Sequence, residues 1–309
     1  MTIVVAGSTG LVGSAIMRDL SRRGESVIGI NRKVVDLLDR EATFDFINAA
    51  KPDLVIDAAA IVGGIGANNA YPVEFLSKNL QIQSNLMDAS HVADVERFVF
   101  LGSSCIYPRD CQQPIKEEYL LTGPLEQTNS AYAIAKIAGI ELIKSYRKQF
   151  NRRWISLMPT NMYGPFDNFN PETSHVLPAF IRKFVKSAIE NVSNVTLWGT
   201  GNARREFMHV DDFATAISIA ADKYDDSIQL NVGTGIDISI SDLAETMKEL
   251  TDFKGNIIWD KTKPDGTPRK VLDVSKIKKI GWAPKITLRA GISSTIEWFK
   301  ENEKGLVKR

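Results

Sequence analysis

The sequence predicts an α/β fold with a doubly wound parallel sheet of the Rossmann type, followed by a smaller mixed α/β domain. Two observations support this prediction. Over roughly the first half of the chain, short apolar runs alternate with longer segments of helical periodicity, and such runs are typical of strands buried on both faces. A loop with three glycines follows the first apolar run, where doubly wound folds turn tightly from strand to helix.

The predicted elements follow in order along the chain. Strands are predicted at 3–5, 26–30, 54–58, 98–101 and 155–158, and helices at 11–23, 41–51, 73–93 and 131–150. From about Asn161 the pattern becomes irregular, and Pro, Asn, Gly and Trp cluster between Tyr163 and Arg205. Later the chain returns to the sheet at 229–232 and forms short helices at 242–250 and 288–300. We expect one domain at 1–160 with a return segment near 205–235, and a substrate-binding domain from the remainder of 161–309.

Composition and charge exclude several classes of function. Hydrophobic residues make up 44% of the 309 residues and the formal net charge is +1, which suits a packed domain and provides no basic field for nucleic acid. No run approaches the roughly 18 apolar residues of a membrane span, and the start of the chain lacks a secretion signal. The two cysteines match no zinc pattern or disulfide framework, and the acidic residues form no metal-ligand cluster. We expect a metal-free cytoplasmic protein that binds neither nucleic acid nor membrane.

The glycine loop predicts a dinucleotide site. Its residues are Gly7, Ser8, Thr9, Gly10, Leu11, Val12 and Gly13. Glycine permits the tight turn and the close approach of a pyrophosphate, and the helix N-terminus presents free N–H groups to the phosphates. After the second strand, where an acidic residue would bind the ribose 2′-hydroxyl of NAD, the chain has Arg32. A cation at this place suits a 2′-phosphate, so the expected cofactor is NADP.

A tyrosine and a lysine predict catalysis at a carbonyl group. Tyr132 and Lys136 lie four residues apart on a predicted helix and therefore share one face. A neighbouring ammonium favours the phenolate, so such a tyrosine can exchange a proton with a carbonyl oxygen while hydride moves to the carbon. Lys136 can also hold the nicotinamide ribose. Ser103 follows the fourth strand, where its hydroxyl can bond the same oxygen.

With these motifs the sequence resembles the extended short-chain dehydrogenase/reductase family, and within it the enzymes that epimerise and reduce GDP-linked keto sugars. The resemblance runs along nearly the whole chain. It is carried by the strings at 62–65, 101–108, 132–139, 159–165, 167–169, 174–176, 205–207 and 265–270. It implies inversion at C3 and C5 of a GDP-4-keto-6-deoxy sugar, followed by NADPH-dependent reduction at C4.

The resemblance also implies roles for individual residues. Cys105 and His175 are the proton-transfer pair of the epimerisation, which must remove a proton from one face of a sugar carbon and add one to the other. The residues expected to contact the GDP-sugar are Lys183, Trp198, Arg205 and Asp265. The cofactor contacts extend to Leu101, Gly102, Ser103, Ser104, Pro159, Thr160, Asn161, Met162 and His175. Some members carry Arg where this chain has Thr9, which leaves Arg32 as the main determinant for NADP.

Two alternatives stay open. The chain can be another sugar-nucleotide enzyme of this family, although a 4-epimerase favours an acid in place of Arg32, and a 4,6-dehydratase favours an acidic pair where the chain has Ser104 and Cys105. It can also be a non-catalytic NADP-sensing protein, which has no need of Tyr132 and Lys136. The presence of all these residues favours the epimerase-reductase.

Two predicted helices also suggest how the protein assembles. The segments at 73–93 and 131–150 carry apolar residues on more than one face, and Ile134, Ile137 and Ile140 cannot all point at one sheet. We expect a homodimer in which these two helices from each chain form a four-helix bundle.

Overall fold

The strands and helices alternate over most of the protein, seen here in a computed structural model that describes residues 1–263 and 265–306. The strands are β1 (Thr2–Ala6), β2 (Ser26–Ile30), β3 (Leu54–Asp57), β4 (Arg97–Leu101), β5 (Ile155–Pro159), β6 (Asn161–Tyr163), β7 (Asn194–Trp198), β8 (Arg204–His209), β9 (Leu230–Val232), β10 (Asp237–Ser239), β11 (Asn256–Asp260) and β12 (Arg269–Lys270). The helices are α1 (Leu11–Arg22), α2 (Arg40–Ala50), α3 (Ile65–Ala70), α4 (Asn79–Val92), α5 (Ser130–Phe150), α6 (Val176–Ile189), α7 (Val210–Lys223), α8 (Ile240–Leu250), α9 (Ser275–Lys279) and α10 (Leu288–Leu306).

Six parallel strands form the main sheet, in the order β2-β1-β3-β4-β5-β9. Their central residues are almost all buried, as expected for a sheet covered on both faces. Helices α1 and α7 pack together on one face, and α2, α4 and α5 form the layer on the other. This arrangement confirms the predicted doubly wound fold class.

A second, smaller core lies beside the main sheet. Strands β10, β8 and β12 form a sheet that β6 extends, and β7 pairs with β11. Helices α6, α8 and α10 pack around buried aromatic and aliphatic side chains, Phe184 and Phe299 among them. Because β6 follows β5 after one residue and pairs with β8, the carboxyl end of the main sheet faces this second core.

Two segments differ from the prediction. The stretch predicted as one helix at 73–93 contains a wider π-helical turn at Glu74–Lys78 before α4 begins. The stretch between Tyr163 and Arg205, predicted to be irregular, contains α6 and β7. None of the helices that the structure describes is long and apolar enough to span a bilayer.

Candidate active site

The loop between β1 and α1 has the backbone shape that a phosphate-binding turn requires. Gly7 has a φ of 75°, and a Cβ there would lie 2.6 Å from the carbonyl oxygen of Ala58. A Cβ on Gly13 would overlap the Gly7 carbonyl oxygen. Gly10, which has no side chain to cap the helix, is the N-cap of α1. The free N–H groups of this first turn therefore fit the diphosphate of a dinucleotide.

The other loop residues support this turn. The Ser8 hydroxyl donates to the Ile30 carbonyl oxygen at 3.0 Å and anchors the loop to β2. Thr9 is exposed at the loop tip. Leu11 and Val12 are partly buried and pack against the main core, so they fix the direction in which α1 leaves the loop.

Arg32 lies just past β2 in a turn that Asn31 stabilises. The Asn31 side-chain oxygen accepts a hydrogen bond from the Lys33 backbone N–H at 2.9 Å. The Arg32 side chain is exposed at the carboxyl end of the strand next to β1. Its guanidinium can therefore meet a 2′-phosphate on a ribose held by the glycine loop.

Lys136 is held against the carboxyl end of β4 by helix α5. Its ammonium donates to the Leu101 carbonyl oxygen at 2.9 Å and lies 4.7 Å from the centre of the Phe100 ring. The Tyr132 ring, one helical turn earlier, has its centre 5.9 Å from the same nitrogen. Burial lowers the pKa of Lys136 to about 8, and the Asp57 carboxylate opposes that fall. The lysine is therefore charged at neutral pH beside the tyrosine ring.

Tyr132 is arranged as a proton donor. Burial raises its pKa, the Cys105 sulfur adds to the rise, and a hydrogen bond with Ser103 opposes it. Phe75 packs edge-on against the ring, with centroids 6.3 Å apart. The phenol is thus protonated at neutral pH, and Lys136 and Ser103 are the groups that can stabilise its anion after the proton has left.

The turn after β4 carries two further polar groups. Gly102 continues the backbone bonding of β4 to β5. Ser103 is extended, and its hydroxyl oxygen accepts a hydrogen bond from the Cys105 backbone N–H at 3.2 Å. This contact starts a short helical turn in which Ser104 is buried and Cys105 is partly exposed. This turn therefore places Ser103 and Cys105 together at the carboxyl end of β4.

Two hydrogen-bond donors converge on the Cys105 sulfur. Asn129 Nδ2 lies 3.3 Å from Sγ, and Lys270 Nζ lies 3.5 Å from it. An amide NH₂ and an ammonium only donate, so the sulfur is the acceptor in both contacts. This is the arrangement that suits a proton-accepting group.

Sequence reasoning gave neither Asn129 nor Lys270 a role. Asn129 directly precedes α5, and Lys270 lies in β12, 165 residues after Cys105. The string at 265–270 was part of the family resemblance, which was the available signal for Lys270. Nothing comparable marked Asn129.

His175 is the N-cap residue of α6 and its side chain is exposed. Desolvation and the positive charge of Lys270 both lower its pKa. Lys270 is thus close to both the imidazole and the Cys105 thiol, and the lowered pKa of His175 favours its neutral form.

The connection between β5 and β6 joins the main sheet to the second core. Pro159 ends β5, and the Thr160 hydroxyl and Asn161 side-chain amide donate to the Glu206 carbonyl oxygen at 3.2 and 2.8 Å. Met162 is partly exposed in β6. These contacts fix the backbone below the site, where a bound nicotinamide would lie in a doubly wound fold.

Lys183 on α6 and Trp198 at the end of β7 both lie beside this strand. The Lys183 ammonium donates to the Thr196 carbonyl oxygen at 2.7 Å. Trp198 is 66% exposed, and the Lys263 nitrogen lies 5.5 Å from its ring centre. An exposed indole is a flat apolar surface on which a nucleotide base can stack.

Arg205 and Asp265 meet near the turn after β7. The Asp265 carboxylate accepts hydrogen bonds from the Thr200 backbone N–H and hydroxyl, both at 2.7 Å. The Arg205 guanidinium donates to the Asp265 carbonyl oxygen at 3.4 Å. Burial lowers the pKa of Arg205, while Asp265 and Cys105 oppose that fall. Asp265 therefore holds the turn, and Arg205 lies against it.

The site as a whole combines four kinds of group within reach of one another. It has a phenol, a buried ammonium, a thiol with two donors on it, and an imidazole whose pKa is lowered. These can carry proton transfer at a carbonyl oxygen and at the carbons beside it. Within residues 1–263 and 265–306, no group of His, Cys, Asp or Glu is arranged to hold a metal ion.

Comparison with known proteins supports this interpretation. Residues 3–233 match the model of the NAD dependent epimerase/dehydratase family. The chain is 47% identical to GDP-L-fucose synthase of Escherichia coli, with 97% of both chains covered, and 49% identical to GDP-L-fucose synthase 1 of Arabidopsis thaliana, with 97% of this chain and 93% of the relative covered. A GDP-L-fucose synthetase from Naegleria fowleri, solved with NADP bound, superposes with a TM-score of 0.90 at 28% identity over 98% of this chain and 95% of that one. The chain belongs to the NAD dependent epimerase/dehydratase family.

Proposed function

We propose that the protein converts GDP-4-keto-6-deoxy-D-mannose to GDP-L-fucose with NADPH, by epimerisation at C3 and C5 and then reduction at C4. The observation that carries this proposal is the setting of Cys105, next to Ser103 and with two donors on its sulfur. A ketone reductase alone needs no such group. The identity of 47–49% to GDP-L-fucose synthases supports the same substrate.

The reduction uses the three groups at the carboxyl end of β4. NADPH, when bound, supplies the hydride. Ser103 and Tyr132 bond the C4 oxygen, and the Tyr132 phenol gives it the proton that completes the alcohol. The Lys136 ammonium then stabilises the phenolate that is left, which takes its proton back from solvent.

The epimerisation uses the same oxygen with different proton carriers. Removing a proton from C3 or C5 places negative charge on the C4 oxygen, where Ser103 and Tyr132 already donate. Cys105, as a thiolate held by Asn129 and Lys270, takes a proton on one face and becomes a thiol. His175, near Lys270, returns a proton on the other face from its protonated form and is left neutral, and exchange with solvent then restores both groups. The enolate is consumed by that second proton, so inversion needs no hydride.

We assign NADP to the main sheet and the GDP part of the substrate to the second core. The glycine loop and Arg32 bind NADP against the main sheet, with Lys136 on the nicotinamide ribose and the backbone at 159–162 below the ring. In the second core, Trp198 stacks on guanine, and Lys183 and Arg205 neutralise the diphosphate once they release their present carbonyl partners. Asp265 keeps the turn after β7 in place for this contact.

The protein is further proposed to be a cytoplasmic homodimer. Cys105 and Cys111 are free thiols, as a reducing compartment requires. On α5, Ile134 and Phe150 are 46% and 44% exposed. Apolar side chains of this size on one helix support self-association through α4 and α5.

The test is to incubate the purified protein with GDP-4-keto-6-deoxy-D-mannose and NADPH. One NADPH should be oxidised for each sugar consumed, and NMR should identify GDP-L-fucose. Tyr132→Phe, as a control, should oxidise almost none. A product with the starting configuration at C3 and C5 would show a reductase without epimerase activity and contradict the proposal.

A further inference from the structure

Asp57 is a buried carboxyl group to which the proposed chemistry gives no role. It ends β3 and has no exposed surface. One oxygen, Oδ1, accepts a hydrogen bond from the Ala59 backbone N–H at 3.1 Å. The other, Oδ2, is buried without a hydrogen-bond partner among the residues that the structure describes. An acceptor left in this state is costly, so its place in the fold calls for a physical reason.

The register of the main sheet places Asp57 on the side occupied by Lys136. Asp57 is paired with Phe100 across β3 and β4, and paired residues on adjacent strands project from the same face. Helix α5 covers that face, because the Phe100 ring fills the space beside Gly139. The Lys136 ammonium lies over the same ring at 4.7 Å. The carboxyl group and the ammonium therefore share one dry space.

In this space the charge of each group acts on the pKa of the other. Burial raises the pKa of Asp57 to about 6, and Lys136 opposes the rise. Burial lowers the pKa of Lys136 to about 8, and Asp57 opposes the fall. The other titratable groups around the pair are Tyr132 and, next to it, Cys105. Between about pH 6 and pH 8, Asp57 and Lys136 are thus both charged.

We propose that Asp57 is a positioning residue whose carboxylate keeps the Lys136 ammonium charged and in place beside Tyr132. The proposal rests on the proposed function only in taking Lys136 as the lysine that serves the tyrosine and the nicotinamide ribose. Without the carboxylate, the buried ammonium loses its proton at lower pH. A neutral Lys136 does not stabilise the Tyr132 phenolate and binds the ribose more weakly.

The test is the pH dependence of Asp57→Asn, which removes the charge and keeps the shape. NADPH binding, followed by fluorescence, and the rate of C4 reduction are measured between pH 6 and pH 9. In the wild type both should decline as pH rises through about 8. In Asp57→Asn the decline should begin roughly one pH unit lower, while NADPH binding at pH 6 stays the same. Asp45→Asn, the same change at an exposed position of α2, should leave the profile unaltered.

An alkaline decline at the same pH in Asp57→Asn and wild type would overturn the proposal. If Asp57→Asn does not fold, Asp57→Leu, which fills the same space without a polar atom, must show the same displacement. The binding measurement needs no sugar nucleotide. A chain that binds NADPH but does not turn over the GDP-sugar would refute the proposed function and still leave the role of Asp57 tested.

Discussion

At the scale of single residues, the site holds charges that weaken the fold. The pKa of Asp57 is raised from 3.8 to about 6, so the folded chain holds this proton more tightly than the unfolded chain, and stability falls as pH rises from about 4 to 6. The pKa of Lys136 is lowered from 10.5 to about 8, so stability rises again as pH passes from about 8 to 10.5. Buried ionisable groups with strongly shifted pKa values, which reduce the stability of the fold, are typical of functional sites.

The effect of Asp57 and Lys136 on the stability of the fold can be tested by replacing both with apolar residues. The double variant Asp57→Leu with Lys136→Met should be inactive but at least as stable as the wild type, with a gain of up to about 4 kcal/mol, because a buried ion pair is replaced by apolar groups. Lys136→Met alone leaves the carboxylate unpaired and should be less stable than the double variant. Thermal unfolding at pH 7 measures all three, and a double variant less stable than Lys136→Met would show that the charges are not coupled.

Arg32 should determine the choice of cofactor. A charge-assisted pair with the 2′-phosphate contributes about 1.5–3 kcal/mol, which is roughly a 10- to 150-fold change in Kd. Arg32→Ala should weaken NADPH binding by that factor and leave NADH binding nearly unchanged. Lys33→Ala, at the exposed neighbouring cation, is the matched control. Equal losses for both cofactors would mean that Arg32 does not contact the phosphate.

Whether the sequence predicts a contact in the site depends on how far apart the two residues lie along the chain. Tyr132 and Lys136 were predicted from spacing within a single helix turn. Cys105, by contrast, owes its setting to a lysine 165 residues away, and Asp57 faces Lys136 only because β3 and β4 are in register. Contacts made by folding leave no local pattern, so Asn129, Lys270 and Asp57 required the structure.

At the scale of elements, the helix predicted at 73–93 was wrong in one place for a physical reason. The Asn79 side-chain amide donates to the carbonyl oxygens of Phe75 and Ile61, at 2.7 and 3.0 Å, and its oxygen accepts from the Ile61 backbone N–H at 2.7 Å. This bridge to a loop 18 residues earlier accompanies the wider turn. Phe75 is thereby placed against Tyr132. Hydrophobic periodicity predicts the strands well but not such an insertion.

The residue composition between Tyr163 and Arg205 did not predict helix α6. Pro178 is the third residue of α6, and proline is tolerated in the first turn of a helix. The Pro, Asn and Gly residues that suggested irregular structure between Tyr163 and Arg205 therefore coexist with a regular helix, whose N-cap is His175.

The packing of α5 on β4 can be tested with Gly139→Ala. A Cβ there would overlap the Phe100 ring and lie 3.1 Å from the Gln83 side chain. Overpacking should destabilise the protein by about 1–3 kcal/mol. Gly66→Ala, in α3 with its nearest neighbour at 3.7 Å, should be neutral or stabilising by up to about 1 kcal/mol. Chemical denaturation measures both, and equal stabilities would contradict the close contact.

At the scale of the whole molecule, the apolar residues of α4 and α5 are of two kinds: some are buried within the chain, and others stay exposed. Helix α4 packs between α2 and α5, and Ile137 and Ile140 are buried within the chain. This part of the pattern needs no partner, so periodicity alone overstated the apolar surface left for a second chain. Ile134 is the residue of the three that stays exposed.

The proposed dimer predicts a different outcome for two equally exposed isoleucines. Ile134 on α5 and Ile258 on β11 are both 46% exposed. Light scattering at micromolar concentration should give a dimer for the wild type and for Ile258→Glu, and a monomer for Ile134→Glu, because a charge buried in an apolar interface is costly. A monomeric wild type would rule out the dimer at this concentration.

The central claim is that epimerisation and reduction share one site but use different proton carriers. The most direct test is to incubate Cys105→Ser in D₂O with NADPH and GDP-4-keto-6-deoxy-D-mannose. Deuterium at each sugar carbon is read by NMR and mass spectrometry. We expect the variant to incorporate little deuterium at C3 and C5 and to reduce C4 slowly, giving a GDP-6-deoxy sugar of the starting configuration, since Ser103, Tyr132 and Lys136 are unchanged. Cys111→Ser should form GDP-L-fucose at the wild-type rate. If Cys105→Ser exchanges and inverts both carbons at the normal rate, Cys105 is not the proton carrier and the division of the site is contradicted.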